Sequence, residues 1–242
     1  MESASSPPRP DKDVQAYFRD IHKDYQDSVG RDSIASVHER IKALLAPHMR
    51  GLILDIGSGG VSDFASTDGR TVVSLDNVLE FLRHGRTAGV LNAAGDVRSL
   101  PLKSGSADRI IIQHVVHHLT SDLLAENLRN VRAAVAESAR VLGKGGRLFI
   151  IDSTTPRFFD LLQRGVYTIS YHALKKLGKP MVFMLSPSAL CRMCRESGLD
   201  PDAVLTIPWG EMNEASQALF PWLRFPLRYT PVRIRLISAV KV

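Results

Sequence analysis

Two spacings of apolar residues alternate along the chain. Ile34, Val37, Ile41, Leu44 and Leu45 recur at helical intervals, and Pro47 marks where that helix should end. The stretch before it, "DVQAYFRDIHKDYQDSV", carries a similar rhythm. "GLILDIG" then breaks the pattern with a short continuous apolar run, as expected of a strand buried on both faces of a parallel sheet. "RTVVSLD" repeats the design and ends on Asp76. "AGVLNAAGD" is a weaker version ending on Asp96, and "ADRIIIQ" gives a fourth strand ending on Gln113. Thr120, Ser121 and Asp122 offer N-caps to a long amphipathic helix through Leu124, Leu128, Val131, Val135 and Leu142. "GKGG" should stop that helix, with "RLFIID" as the fifth strand.

Beyond this point the rhythm changes. Positions 153–185, "STTPRFFDLLQRGVYTISYHALKKLGKPMVFML", are too long for a simple connection and hold helical patches, so they read as an insertion lying over the sheet's edge as a lid. "SPSALCRMCRESGL" is another capped helix, "DAVLTIPW" a sixth strand and "VRIRLISAVKV" a seventh. Strands alternating with helices predict a doubly wound α/β sheet. Ligands on such sheets bind at the carboxyl ends of the strands, where Asp55, Asp76, Asp96 and Gln113 fall.

With 242 residues, 44% of them hydrophobic and 23% charged, the chain is long enough for one substantial core. Residues 1–12 are rich in Pro, Ser and charge and read as a disordered leader. Residues 13–242 then form a single domain, with N-terminal helices over 13–50. There is no run of 18 apolar residues to span a membrane, and the start has no apolar signal region, so a cytoplasmic location is expected. The net charge of +6 is spread along the chain rather than gathered into a block. Cys191 and Cys194 form one isolated C-x-x-C, and with Leu190 and Met193 beside them they read as packed thiols rather than metal ligands.

The acids at the strand ends carry the first chemical signal. Asp76 lies 21 residues after Asp55, and Asp96 lies 20 after Asp76. An acid about 20 residues past a glycine-rich turn is placed to accept bonds from both hydroxyls of a ribose. Yet the dinucleotide fingerprint fails, because Ser62 stands where the third glycine belongs, which disfavours a nicotinamide or flavin cofactor.

The ordered set "LILDIGSGG", "VVSLD", "GDVRSLPLKSGSADRIIIQHVVHHL" and "ESARVLGKGGRLFI" resembles the class I S-adenosylmethionine-dependent methyltransferases, in particular their small-molecule type 11 group. The resemblance covers positions 52–151. It implies a seven-stranded, mostly parallel sheet of order 3-2-1-4-5-7-6 with the last strand antiparallel. It also implies S-adenosyl-L-methionine as cofactor. On the matching positions, Gly57, Ser58 and Gly59 would let the backbone approach the cofactor, and Asp55 would orient the loop near its ammonium group. Asp76, with Asn77 beside it, would grip the ribose. Asp96 and the Val97 backbone would meet the adenine, and Gln113 would approach the methionine tail. Tyr17, in a region that also holds Phe18 and Tyr25, would close over the cofactor. Two departures stand out: Val61 replaces a common glycine, and "VSDFASTDGR" is so short and poor in helix formers that its helix should be a turn or so.

His114, His117 and His118 follow the fourth strand. Their spacing admits a metal reading, but no matching carboxylate motif appears and no metal is expected. The resemblance leaves His117 and His118 structural and makes His114 the candidate general base. Asp152, Tyr171 and His172 are secondary candidates, each equally explained by strand-end capping or lid packing. Toward the C-terminus, "ALFPWLRFPLRYTPVRIRL" interleaves Phe220, Trp222, Phe225 and Tyr229 with Arg224, Arg228 and Arg233. Such a pattern could stack RNA bases, but an apolar lid over a lipophilic small molecule accounts better for its Phe, Leu and Pro content. The expectation is therefore methyl transfer to a hydrophobic small molecule, plausibly in specialised metabolism, with oxygen slightly preferred over carbon or nitrogen. Two alternatives stay open: a protein that binds the cofactor without methyl transfer (a cyclase or binding module), or an RNA methyltransferase. The oligomeric state is not legible.

Overall fold

The computed structural model describes residues 14, 16, 18–19, 32–85, 87–208 and 230–242. The leader and Tyr17, Tyr25, Phe220, Trp222, Arg224, Phe225, Arg228 and Tyr229 lie outside the described residues. Helix α1 spans Asp32–Leu45, and a single 3₁₀ turn through Pro47 ends it. Strands β1 (Gly51–Ile56), β2 (Arg70–Asp76), β3 (Leu91–Ala94), β4 (Ala107–Gln113) and β5 (Leu142–Thr154) are mutually parallel. Strand β7 (Arg233–Lys241) runs antiparallel between β5 and β6 (Leu199–Ile207), giving the order β3-β2-β1-β4-β5-β7-β6. Helices α2 (Leu79–His84), α3 (Leu124–Val141), α4 (Arg157–Lys176) and α5 (Pro187–Glu196) flank the sheet, and a second 3₁₀ turn spans Val116–His118.

Because side chains alternate across a strand, each continuous apolar run feeds two cores at once. Ile110, Ile112, Leu148 and Ile150 join Val131 and Val135 of α3, Tyr167 of α4 and Leu190 of α5 on one face. Ile111, Phe149 and Ile151 join Val37, Ile41 and Leu45 of α1 on the other. Cys191 and Cys194 are buried, unpaired thiols in the first of these cores, and burial pushes Cys194 up to about 12.

Four local expectations are corrected. No helix forms between β1 and β2. Residues 57–66 are turns and bends held by side chains, with Ser62 N–H donating to Thr87 Oγ1 at 3.0 Å and Arg70 Nε to Ala65 O at 2.8 Å. Ser and Asp bond the backbone in place of a helix here, and the single apolar plug, Phe64, enters the α1 core. Next, α3 starts at Leu124 behind an extended Leu123 with no side-chain cap. Ser121 Oγ instead donates to Glu126 at 2.8 Å. The glycines of "GKGG" lie within β5, which pairs Leu142 with Ala107, slips register, and resumes at Arg147 opposite Arg109. Finally, Ser153 and Thr154 still belong to that strand, so the inserted segment opens only at α4.

Candidate functional site

A cleft of about 140 Å³ opens at the carboxyl ends of β1 and β4. Its floor is the glycine turn, Gly57 to Gly59, and its walls include Asp55, Phe81, Gln113 and His114. The turn is left-handed at three successive glycines of "GSGG": Gly57 (φ 74°), Gly59 (φ 63°) and Gly60 (φ 78°). Two of them are required by the protein's own packing. A Cβ on Gly57 would sit 2.1 Å from Val115 Cγ2, and one on Gly60 would sit 2.7 Å from Phe81 O. At Gly59 the nearest atom to such a Cβ is the Phe81 ring, 3.7 Å away, and Gly57, Ser58 and Gly59 together present their backbone to the cleft.

Asp55 is 5% exposed and accepts the Ser62 hydroxyl at 2.5 Å. Burial pushes its carboxyl up to about 7 against the opposing hydrogen bond. Asp76 receives the amides of Gly59 (3.1 Å) and Val78 (2.8 Å), one on each oxygen, and burial raises its pKa despite these bonds. Each oxygen keeps a second lone pair, enough to accept a pair of hydroxyls. Asn77 beside it is exposed, and Ser58 Oγ bonds Ser74 Oγ at 2.5 Å.

The sequence reading missed one group in the cleft wall. His38 of α1 meets Asp63 at 3.0 Å, and the Gln113 amide lies 3.3 Å from the same imidazole nitrogen. The Asp63 hydrogen bond, outweighing burial, raises the His38 pKa. No local pattern marks this pair, since 25 residues separate its members.

Asp96, Val97, Tyr171 and His172 are not among the residues lining this cleft. Asp96 is held bidentately by Arg98, Nε on one oxygen at 2.9 Å and Nη2 on the other at 2.5 Å. Burial favours the neutral acid, but Arg98 outweighs it and keeps the carboxyl below its ordinary value. Val97 is buried in the core beside it. The Asp96 side chain stays 29% exposed, and its second oxygen carries one Arg98 bond and keeps a lone pair. Tyr171 points into the core and His172 lies on the exposed side of α4; neither lines the cleft.

The histidines form a second cluster. His114 lines the cleft in a left-handed conformation (φ 55°), unusual for a non-glycine residue, and burial lowers its pKa to about 4. Asp152 is buried and contacts His117 Nδ1 through one oxygen, while its other oxygen accepts the His117 amide at 3.2 Å. Burial opposes ionisation of Asp152, but the His117 charge and hydrogen bond reverse the balance and lower its pKa. His118 packs 3.9 Å from the His117 ring and edge-on to Phe18 at 4.8 Å, its pKa pushed well down by burial. Among the described residues no group of three or more His, Cys, Asp or Glu is arranged to hold a metal ion.

The family described as "Methyltransferase domain" matches residues 54–150, the segment that carries the glycine turn, the strand-end acids and the histidines. A demethylmenaquinone methyltransferase of Renibacterium salmoninarum is 30% identical over 177 residues, covering 69% of each chain. This chain belongs to the class I S-adenosylmethionine-dependent methyltransferases. A second demethylmenaquinone methyltransferase, from Corynebacterium glutamicum, is 28% identical over 149 residues, covering 60% of this chain. The chain thus spans about three fifths (61%) of the length of that curated relative. Among solved structures, the [4+2]-cyclase SpnF superposes with a TM-score of 0.62 at 12% identity, covering 98% of this chain and 99% of its own, a likeness of fold. The cleft suits the cofactor of that family. The carboxyl groups of Asp55 and Asp63 line the cleft, and Asp76 stands behind the glycine turn on the Gly59 amide, an acceptor-rich setting for a ligand that carries an ammonium, a sulfonium and two ribose hydroxyls.

Proposed function

We propose that this protein transfers a methyl group from S-adenosylmethionine to a hydrophobic small molecule, with a demethylmenaquinone-like acceptor as the substrate class suggested by its relatives. One observation carries the reading: Asp55, the glycine-turn backbone and the His114 imidazole meet in one cleft at the strand ends. When bound, the cofactor supplies a methyl group activated by positive sulfur. Asp55, Asp76 and the Gly59 backbone would hold it, and positioning of this kind is worth roughly 7–11 kcal/mol of barrier.

The imidazoles manage the acceptor's proton. His114, with its pKa lowered to about 4, is neutral at physiological pH and a weak base, so it would share an attacking group's proton only as the transition state forms. Asp152 holds the His117 ring through Nδ1, and that ring stands 6.3 Å from the His114 ring, so the pair helps to position His114 rather than to act as a base itself. A demethylated quinone offers a ring carbon, activated as a neighbouring hydroxyl of its reduced form loses a proton to a base such as His114. Oxygen would be the accepting atom only for a hydroxylated acceptor outside that class.

Incubation with methyl-labelled cofactor and a demethylated quinone, or a lipid extract, tests the proposal. Label should enter the organic phase. His114→Ala should lower turnover by about 10²-fold while leaving cofactor affinity nearly intact. Tight cofactor binding without labelled product would refute methyl transfer and favour the non-methylating reading, which the cyclase likeness keeps open. Label appearing in RNA would assign a different acceptor.

A further inference from the structure

Helix α4 is apolar on both sides. Its inner face buries Tyr167 and Tyr171. Its outer face presents Phe158 (71% exposed), Leu162, Val166 and Ile169 (75% exposed) at intervals of four, four and three, with Leu161 alongside. Leu177 (72% exposed) extends the stripe just beyond the helix. Single exposed apolar residues are ordinary on soluble proteins, whereas a contiguous stripe along 20 residues of helix marks a surface that something covers.

Charge identifies what covers it. Positions 156–180 hold five cations, Arg157, Arg164, Lys175, Lys176 and Lys179, and one acid, Asp160. That acid is 3% exposed and spent internally, accepting from Arg164 at 2.7 Å and from the Ser186 hydroxyl at 2.8 Å. Arg164 is spent on Asp160 and Lys175 leans over the Tyr171 ring, so the segment's free cations are Arg157 at its start and Lys176 and Lys179 at its end, flanking an apolar stripe with no exposed carboxylate. An amphipathic helix with this composition lies in the plane of a membrane surface, its apolar stripe below the headgroups and its cations among the phosphates. No helix among the described residues is long and apolar enough to cross a membrane, so the mode is lying on rather than spanning.

We infer that α4 docks this protein onto an anionic lipid surface through Phe158, Leu162, Val166 and Ile169. The helix leaves β5 three residues after Thr154, on the strand whose Asp152 holds His117. The inference stands apart from the proposed reaction, because its test reads binding rather than turnover.

The full chain is co-sedimented with vesicles of phosphatidylcholine alone and of phosphatidylcholine mixed with phosphatidylglycerol. Binding should favour the anionic vesicles and weaken as salt is raised. Ile169→Glu and Phe158→Glu should each weaken binding about tenfold or more with an unchanged melting temperature, as both positions are exposed. Val204→Glu, exposed on β6, should bind as the unaltered chain does. An unaltered chain that stays in the supernatant with both vesicles, or an Ile169→Glu variant that binds undiminished, would overturn the inference. A dimer broken by Ile169→Glu, with no vesicle binding by either form, would assign the face to a second copy and overturn it equally.

Discussion

Replacing Asp55 by Asn should change how stability depends on pH. In the folded chain this carboxyl titrates near 7 rather than at its ordinary 3.8, because burial strips it of water and the Ser62 hydroxyl compensates only in part. A raised folded pKa means the native state holds its proton longer than the unfolded chain does. The contribution is therefore fully present below pH 3.8 and is lost as pH rises through about 7. Three units correspond to a total of roughly 4 kcal/mol, of which about 2.6 kcal/mol is lost between pH 5 and pH 8. Asn keeps the shape and an oxygen to accept from Ser62 but cannot ionise. Urea unfolding of both proteins across that range isolates Asp55 from other groups that titrate there, including nearby His38, since the difference between the curves is what counts. Stability of Asp55→Asn relative to the unaltered chain should rise by about 2–3 kcal/mol from the acid to the alkaline end. Parallel curves would mean that Asp55 ionises at its ordinary value and that its burial costs nothing. Losing cofactor affinity while gaining stability at pH 8 would show that the charge is kept for its ligand.

Gly60→Ala should destabilise by about 2–4 kcal/mol in thermal or urea melts, because the new methyl meets a backbone oxygen at 2.7 Å in a left-handed conformation. Asp96→Ala should cost about 2–3 kcal/mol without any cofactor present, since it strands the buried Arg98 guanidinium; an unchanged melt would refute the structural role of this pair. Asp152→Asn should reduce kcat by about 10²-fold in the labelled-cofactor assay with little change in cofactor Kd, by releasing the His117 ring from its orienting carboxylate.

The sheet was legible because its signals are local. Ile110 to Ile112 must alternate between two cores, and each parallel strand ends at the ligand-binding edge, so Asp55, Asp76 and Gln113 could be placed by counting. What escaped depends on long-range meetings. His38 and Asp63 join because α1 packs its Val37, Ile41 and Leu45 into the core below the turn that carries Asp63, and neither has a neighbour in sequence that hints at it. Asp96 is a different case, because its partner Arg98 is two residues away and the "DVR" triplet could have been read as an ion pair. The absent helix after the glycine turn was foreshadowed by composition, but its replacement by side-chain bonds from Ser62, Thr87 and Arg70 has no sequence signature. The Tyr171 ring faced two possible surroundings that periodicity cannot tell apart, and the structure puts it in the core.

With no helix between β1 and β2, α1 becomes a shared wall. Val37 seals the core and the next residue, His38, borders the cleft. Segments near a terminus usually fray independently of the domain behind them. Here Val37, Ile41 and Leu45 lie against Ile53, Val72 and Phe149, so α1 can open only by uncovering the central strands. Its amides should exchange with solvent in the same cooperative unit as the sheet, and whatever fills the cleft should slow that exchange across the whole unit.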